Sequence, residues 1–256
     1  MKPQIGRQVK IHPTARLEAE ELSIGDFTQI GANVHIHGAK VEIGRDAWIA
    51  NNVLIGGGRA EMGSLRTGDF LHLGIRSMIN IADKVVIGDE VGIGIESKLY
   101  THGAYLNEYE GFPYSVGRIT IGNRVWIPNA IILPDVDIGD DIVIGAQSLV
   151  NGDIPSGCFA AGSPIKVLKE DEYPKELSFH EHYAMTERIV QEIKFRGIKA
   201  VRNGRVIVVG KTTFYPVAGR IEGPANKDTD LVKDMLRRHG ARFKYYNDGE
   251  IYREWD

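Results

Sequence analysis

The residue of this sequence most suited to chemistry is His102, which stands at the base of a long polar and aromatic interruption, YTHGAYLNEYEGFPYSVGR (100–118). A histidine changes its charge near neutral pH, so it can take up or release a proton during a reaction. An excursion of this length is usually functional or disordered, and its four tyrosines argue against disorder. Taken alone, a histidine in such a loop is more often hydrogen-bonded to local backbone than catalytic. The surrounding sequence must therefore decide between these two roles for His102.

Two other sets of residues, a histidine pair and a cysteine, are weaker candidates for a functional site than His102. His35 and His37 share one face of a strand by two-residue alternation, but a metal site needs a third ligand and the sequence signals none. We therefore expect solvated or interface histidines and no metal. Cys158 is the single cysteine, which excludes an internal disulfide framework, and we expect it to be a small buried residue rather than a nucleophile.

The elements that must position His102 follow a six-residue rhythm of aliphatic side chains, with Gly, Asp and Asn between them. A period of six fits neither an α-helix nor a long strand, but it is typical of the short strands and tight corners of a parallel β-helix. The predicted inward residues are Ile11, Leu17, Ile24, Ile30, Ile36, Ile43, Ile49, Ile55, Ile75, Ile81, Ile87, Ile93, Leu99, Ile121, Ile127, Leu133, Ile138, Ile144 and Val150.

Two interruptions are predicted to be loops thrown out from coil corners. They span residues 57–74 and 100–118. Loops on rigid scaffolds often carry function, and the second is the more informative because it contains His102. For the first, a functional loop and a plain connector are equally supported.

Composition agrees with a soluble globular chain. The 256 residues are 43% hydrophobic and 25% charged, which are ordinary values for a soluble protein. The net charge of −3 argues neither for nor against any partner, and we expect no nucleic-acid partner. The absence of a signal-peptide-like apolar segment and of an 18-residue apolar run predicts a cytoplasmic protein without a transmembrane segment.

After residue 170 the composition changes. We predict a β-helix domain over residues 1–170, a charged junction with a capping helix over 171–197, and a small α+β unit of unknown role over 198–256. The helix is predicted at about 180–196 and a second one ends at Gly240. An Asn-Asp-Gly turn between ARFKYY and EIYREW predicts a hairpin.

The segment from Val125 to Lys169, beginning VWIPNAIILPDVDIGDDIVIGAQ, closely resembles the signature of the hexapeptide-repeat acyltransferases, most of all the galactoside, maltose and polysaccharide O-acetyltransferases. The resemblance implies a left-handed parallel β-helix, a homotrimer, and acetyl-CoA bound as acyl donor between neighbouring subunits. It implies transfer of an acetyl group to a hydroxyl of a sugar or polysaccharide precursor, by direct attack on the thioester.

The resemblance also assigns roles to single residues. His102 matches the catalytic base, and the backbone amide of Asn129 matches the donor that faces the thioester carbonyl. The positions that match donor-binding residues are Trp126, Gly145, Ala146, Lys166 and Lys169. Asn80 and Tyr114 are predicted to contact the acceptor, and Asn80 could instead orient the histidine.

Three departures from the family pattern bear on the donor site. Pro128 lacks an N–H but leaves that of Asn129 available, Gln147 introduces a longer side chain, and Asn151-Gly152-Asp153 carries one cation fewer.

Three other functions remain open from the sequence. An N-acetyltransferase of an amino sugar or nucleotide-linked amino sugar would use the same residues. A zinc carbonic anhydrase on the same solenoid would need three clustered histidines, and a non-catalytic solenoid would leave the donor-type segment without a role.

Overall fold

The computed structural model describes residues 2–58 and 60–255, so Arg59, within the first predicted loop, lies outside the described residues. The chain divides into two compact units whose boundary falls between Lys175 and Glu176. In the described part of the chain, no helix has the length and apolar character needed to cross a membrane.

The first unit is a three-sided parallel β-helix, as predicted. Its faces are named A, B and C in the order in which the chain visits them. Face A contains Gln4–Ile5, Glu21–Ile24, Lys40–Ile43, Ser64–Thr67, Val85–Ile87, Ile119–Ile121 and Val136–Ile138. Face B contains Lys10–Ile11, Gln29–Ile30, Trp48–Ile49, His72–Leu73, Gly92–Ile93, Val125–Ile127, Ile142–Ile144, Phe159–Ala161 and the antiparallel Lys166–Lys169. Face C contains Arg16–Leu17, His35–Ile36, Leu54–Gly56, Met78–Asn80, Lys98–Leu99, Ala130–Ile132 and Ser148–Val150.

The aliphatic rhythm fills the interior of the solenoid. Most of the predicted inward residues are fully buried, among them Ile49, Ile93 and Ile144. Two predictions in this set were wrong. Ile132 is buried in place of Leu133, so the five-residue step falls one strand earlier, and Ile75 is 41% exposed because Leu73 takes the inward position. In the first coil, Ile11 is 39% exposed.

Most corners between faces A and B are built from a glycine followed by Asp or Asn. The side-chain oxygen of the second residue accepts a hydrogen bond from the backbone N–H of its counterpart in the preceding coil. Examples are Asp26 with Arg7 (2.6 Å), Asp89 with Asp69 (2.7 Å) and Asp140 with Asn123 (2.5 Å). The recurring IGD and IGN motifs therefore link each coil to the next.

Many corner residues adopt the left-handed conformation without being glycine. At the A–B and B–C corners their φ angles lie between 50° and 64°, for example at Phe27, Asn52 and Glu96. This conformation costs about 1–2 kcal/mol per residue. Burial of one isoleucine side chain contributes about 1.5–3 kcal/mol, so the core stabilises a coil enough to hold its corners.

The two interruptions differ from the predicted loops. Most of the stretch 57–74 belongs to the β-helix rather than to a loop, because the solenoid resumes at Ser64–Thr67 and Leu65 is fully buried. The described residues 57–58 and 60–63, which include a short 3₁₀ turn at Ala60–Met62, lie outside the repeat. The second interruption is a true excursion that begins and ends in a short antiparallel pair, His102–Gly103 with Ser115–Val116, and contains a 3₁₀ turn at Glu108–Glu110.

The second unit is an α+β fold with its own core. It contains α1 (Phe179–Phe195), four antiparallel strands in sequential order, α2 (Lys227–Arg238) and a hairpin of Tyr245–Asn247 with Tyr252–Glu254. The strands are Ala200–Asn203, Val206–Val209, Thr212–Tyr215 and Arg220–Glu222. The predicted grouping of α1 with the junction differs from this arrangement, because Ile189, Val190 and Ile193 are buried in the core of the second unit. Capping boxes at Ser178 and Asn226 begin the two helices.

We predict that Gly25→Ala destabilises the solenoid. A Cβ at Gly25 would lie 2.6 Å from the carbonyl carbon of Gly44 in the next coil, and backbone cannot move aside without disturbing the stack. Overpacking of this kind costs about 1–3 kcal/mol, measured as a lower thermal or denaturant midpoint. Gly152→Ala is the matched control, because its Cβ would meet no atom within 4 Å. Equal midpoints for the two variants would contradict the close approach of the coils.

Candidate active site

His102 lies at the corner between faces C and A, three residues after the buried Leu99. It pairs with Val116 across the base of the excursion, where the Gly117 N–H donates to the Thr101 carbonyl at 3.0 Å. The His102 side chain is half-buried, whereas residues 103–116 are exposed. The imidazole therefore belongs to the rigid base of the loop rather than to its tip.

Asn80 connects His102 to the preceding coil. Its Oδ1 lies 2.9 Å from His102 Nδ1 and accepts a hydrogen bond from the Thr101 hydroxyl at 2.7 Å. Its Nδ2 donates to the carbonyls of Gly56 and Gly58, at 3.2 and 3.4 Å. The side chain is 3% exposed. Its polar atoms are therefore engaged in contacts inside the protein, which favours the alternative that Asn80 orients the histidine over the predicted contact with the acceptor.

The glycine turn at residues 56–58 lies against this pair and was not assigned a role from the sequence. A Cβ at Gly58 would lie 3.8 Å from His102 Nε2, so this backbone borders the outer nitrogen of the imidazole. The Gly57 N–H donates to His37 Nε2 at 2.9 Å, while His37 Nδ1 is buried without a hydrogen-bond partner among the described residues. The only sequence signal for this arrangement is the run of three glycines itself.

Asn129 lies at a different corner, between faces B and C. Its side-chain Nδ2 donates to the Ile95 carbonyl at 2.6 Å, and its own carbonyl accepts the Gln147 N–H at 2.6 Å. Its backbone N–H makes no hydrogen bond to the part of the chain that the structure describes. A fixed corner with an available N–H is the geometry that an oxyanion donor requires.

A groove of about 600 Å³ runs along face C beside this corner. Its lining residues are Arg76, Glu96, Lys98, Asn129, Ala130, Ile131, Gln147, Ser148, Leu149 and Ser163. Arg76 and Glu96 form an ion pair at 2.6 Å. The sequence analysis missed Arg76, Glu96 and Lys98, although aligning the repeats places the first two at the same left-handed corner position as Gln147.

The predicted donor-binding residues occupy the same region of the solenoid. Gly145 and Ala146 lie at the B–C corner one coil after Asn129, and a Cβ at Gly145 would meet that of Ala161 at 2.6 Å. Trp126 is on face B, 44% exposed, and its ring covers Gly92, where a Cβ would lie 2.5 Å from the ring.

Lys166 and Lys169 lie on the last, antiparallel strand of face B with exposed side chains. Lys169 is already paired with Glu172 at 3.3 Å, and Lys175 and Lys169 hold the pKa of that carboxyl below its ordinary value. Tyr114, the other predicted acceptor contact, is 47% exposed near the end of the excursion.

A single chain does not bring His102 and Asn129 together. His102 follows the carboxyl end of a face C strand, whereas Asn129 precedes the amino end of the next one, Ala130–Ile132. Since the strands are parallel, the two residues lie at opposite edges of face C. The structure thus groups Asn80 with His102 at one edge and the donor-type residues at the other.

The remaining candidates for chemistry offer little. Cys158 is buried, its thiol donates to the Pro155 carbonyl at 3.1 Å, and burial raises its pKa, all of which disfavour the reactive thiolate. Within residues 2–58 and 60–255, no three His, Cys, Asp or Glu side chains cluster closely enough to hold a metal ion.

Comparison with known proteins assigns the chain to a family, although no family model matches it. The chain is 31% identical to galactoside O-acetyltransferase of Escherichia coli strain K12 over 168 residues, which cover 62% of this chain and 71% of the relative. It is 36% identical to serine acetyltransferase of Helicobacter pylori strain 26695 over 91 residues, 34% of this chain and 50% of that relative.

Among solved structures, a hexapeptide-repeat acetyltransferase of Vibrio cholerae in complex with acetyl coenzyme A aligns with a TM-score of 0.39 and 22% identity, over 58% of this chain and 70% of that one. The similarity to the E. coli enzyme extends over most of that relative's length. This chain is therefore an acetyltransferase, and it belongs to the hexapeptide-repeat acetyltransferase family.

Proposed function

We propose that this enzyme transfers the acetyl group of acetyl-CoA to a hydroxyl of a sugar or sugar-containing precursor, with His102 as the general base. The observation that carries the proposal is the half-buried His102, held by Asn80 on a rigid corner of an acetyltransferase scaffold. The similarity to a galactoside O-acetyltransferase supports a sugar hydroxyl as the acceptor.

In the proposed reaction, His102 takes the proton of the acceptor hydroxyl as its oxygen attacks the thioester carbonyl. The Asn129 N–H donates a hydrogen bond to the oxyanion that develops on the carbonyl. Removal of such a donor typically costs about 2.7–4 kcal/mol of transition-state stabilisation. The tetrahedral carbon then expels the thiolate, to which the protonated His102 returns its proton. The ester bond replaces the thioester bond, and no covalent enzyme intermediate forms.

The donor would lie along the B–C corner. The Asn129 N–H would face the thioester, and Trp126, Gly145 and Ala146 would contact the pantetheine arm. Of the two lysines proposed for the phosphates, Lys169 would have to share its charge with Glu172, whereas Lys166 has no ion pair in the described part of the chain. The groove residues are compatible with this assignment because the lining combines charged and polar side chains with the apolar Ala130, Ile131 and Leu149.

The active site would be completed between two copies of the chain. Because His102 and Asn129 lie at opposite edges of face C, the base of one subunit would meet the donor groove of its neighbour in a closed trimer. The exposed aromatic side chains Trp48 and Trp126 on face B, 52% and 44% exposed, would be covered in this arrangement.

His102→Ala is expected to lower turnover at least about a hundredfold, since general base catalysis contributes typically 10²–10⁴-fold. CoA affinity and thermal stability should change little, because the side chain is half-buried at the base of a loop. The measurement is CoA release in the presence of sugars and matched amino sugars, with His12→Ala, at an exposed corner, as control. Retention of most activity on the preferred acceptor would remove the base from the mechanism, and preference for the amino sugar would indicate N-acetylation.

Light scattering is expected to give three times the 28.4 kDa mass of the chain. Mixing His102→Ala with Trp126→Ala, unfolding and refolding them together, should recover part of the activity, because some sites then combine an intact histidine with an intact donor groove. A stable, active monomer at micromolar concentration would contradict a shared site.

A chain truncated after Lys175 is expected to retain CoA binding, since all predicted site residues lie in the first unit, which has a separate core. Titration calorimetry with CoA measures this directly. If the truncated chain folds as a β-helix but no longer binds CoA, the second unit contributes to the donor site.

A further inference from the structure

We propose that Asn80 is a positioning residue that keeps the His102 imidazole protonated at Nδ1, so that Nε2 carries the lone pair that accepts the acceptor's proton. This inference rests on the proposed function, because it assigns a task to a residue behind the proposed base. It also gives a role to the glycine turn at residues 56–58, which holds Asn80 in place.

The orientation of the Asn80 amide follows from its neighbours. The atom facing Gly56 and Gly58 meets two carbonyl oxygens, which can only accept, so it must be the NH₂ group. The atom on the other side meets the backbone N–H of Ala82 at 3.3 Å, which can only donate, so it must be the oxygen. In the reverse orientation the amide oxygen would face the two carbonyl oxygens, and the NH₂ group would face the Ala82 N–H. Neither side could then form a hydrogen bond.

The orientation of the amide determines the tautomer of the histidine. His102 Nδ1 lies 2.9 Å from the Asn80 oxygen, which has no proton to give, so Nδ1 must carry the hydrogen. In a neutral imidazole the other nitrogen is then unprotonated. That nitrogen, Nε2, lies on the side of Gly58, where the absence of a side chain leaves room for an incoming hydroxyl.

Asn80 itself has little freedom to turn. Its side chain is 3% exposed, and the Thr101 hydroxyl adds a third hydrogen bond to its oxygen. Gly57 has a φ of +96°, and a Cβ there would lie 2.6 Å from Asn80 Nδ2. The turn therefore needs glycine for two reasons, a left-handed backbone and close contact with the amide.

A direct contact between Asn80 and the acceptor would require a free polar atom. Its oxygen already contacts Thr101, His102 and Ala82, and its nitrogen contacts two carbonyls. The side chain therefore acts on the reaction only through His102.

The test compares Asn80→Ala and Asn80→Asp in the full chain. Asn80→Ala should lower kcat about a hundredfold, the effect of a misplaced catalytic group, with little change in KM. Asn80→Asp keeps an acceptor for Nδ1, so it should retain much more activity than Asn80→Ala, at a cost in stability because its second oxygen faces the Gly56 and Gly58 carbonyls. The added negative charge favours the imidazolium, so the rate of Asn80→Asp should reach half its maximum at a higher pH than that of the native enzyme.

A spectroscopic readout separates positioning from a merely structural role. Nitrogen-15 NMR of the histidine rings, with His102→Ala used for assignment, reports which imidazole nitrogen is protonated. We expect Nδ1–H in the native enzyme and in Asn80→Asp, and a mixture of tautomers in Asn80→Ala. The control is Asn51→Ala, which removes a side-chain oxygen that accepts the Ala32 N–H at 2.8 Å at another corner. It should change stability without changing kcat or the His102 signals.

Other outcomes would overturn the proposal. If Asn80→Ala keeps kcat and the Nδ1–H tautomer, Asn80 does not position the base, even where His102→Ala is inactive. If His102→Ala is itself active, that result contradicts the proposed role of His102 as the base, whatever Asn80 does. Should Asn80→Ala not fold, Asn80→Asp still decides, because loss of the Nδ1–H signal or an unshifted pH profile would contradict the proposed contact.

Discussion

The close approach of successive coils at their corners is the constraint on which the rest of this structure depends. Parallel strands stack at about 4.8 Å, so a corner has no room for a side chain that points along the stack. Glycines such as Gly25 and Gly122 meet this requirement, and the side-chain oxygen of the residue that follows each of them, Asp26 or Asn123, accepts a backbone N–H from the coil before. Corner glycines and corner carboxylates are therefore parts of one inter-coil ladder.

The inter-coil ladder makes the solenoid rigid and fixes which residues of successive coils stack on one another. Residues about 20 positions apart in sequence are stacked on one another, so a polar side chain can be held from the coil before or after it. Asn80 and His102, 22 positions apart, are in hydrogen-bond contact for this reason. The glycine turn at residues 56–58 continues the same column by one further coil. A catalytic side chain placed on this column is held by neighbours that are themselves fixed.

The same rigidity separates functions within one chain. The imidazole and the donor-type groove lie at opposite edges of face C, and parallel strands offer no way to bring those edges together. Chemistry that needs both must then be completed across a contact between chains. The second unit, with its own core and capping boxes, adds no proposed catalytic residue to this arrangement.

The sequence by itself determined the period, and with it the three-sided solenoid, because aliphatic side chains can fill the interior only once per short strand. It also singled out His102, since the repeat breaks there. Only the tertiary structure decided the choice of Ile132 over Leu133 and of Leu73 over Ile75, because a corner can absorb one residue more or less without changing the composition of the repeat. It likewise revealed that the coil resumes at Ser64 and that Asn80 contacts the imidazole. Both depend on which coils stack in register, and that is set by backbone hydrogen bonds between residues distant in sequence.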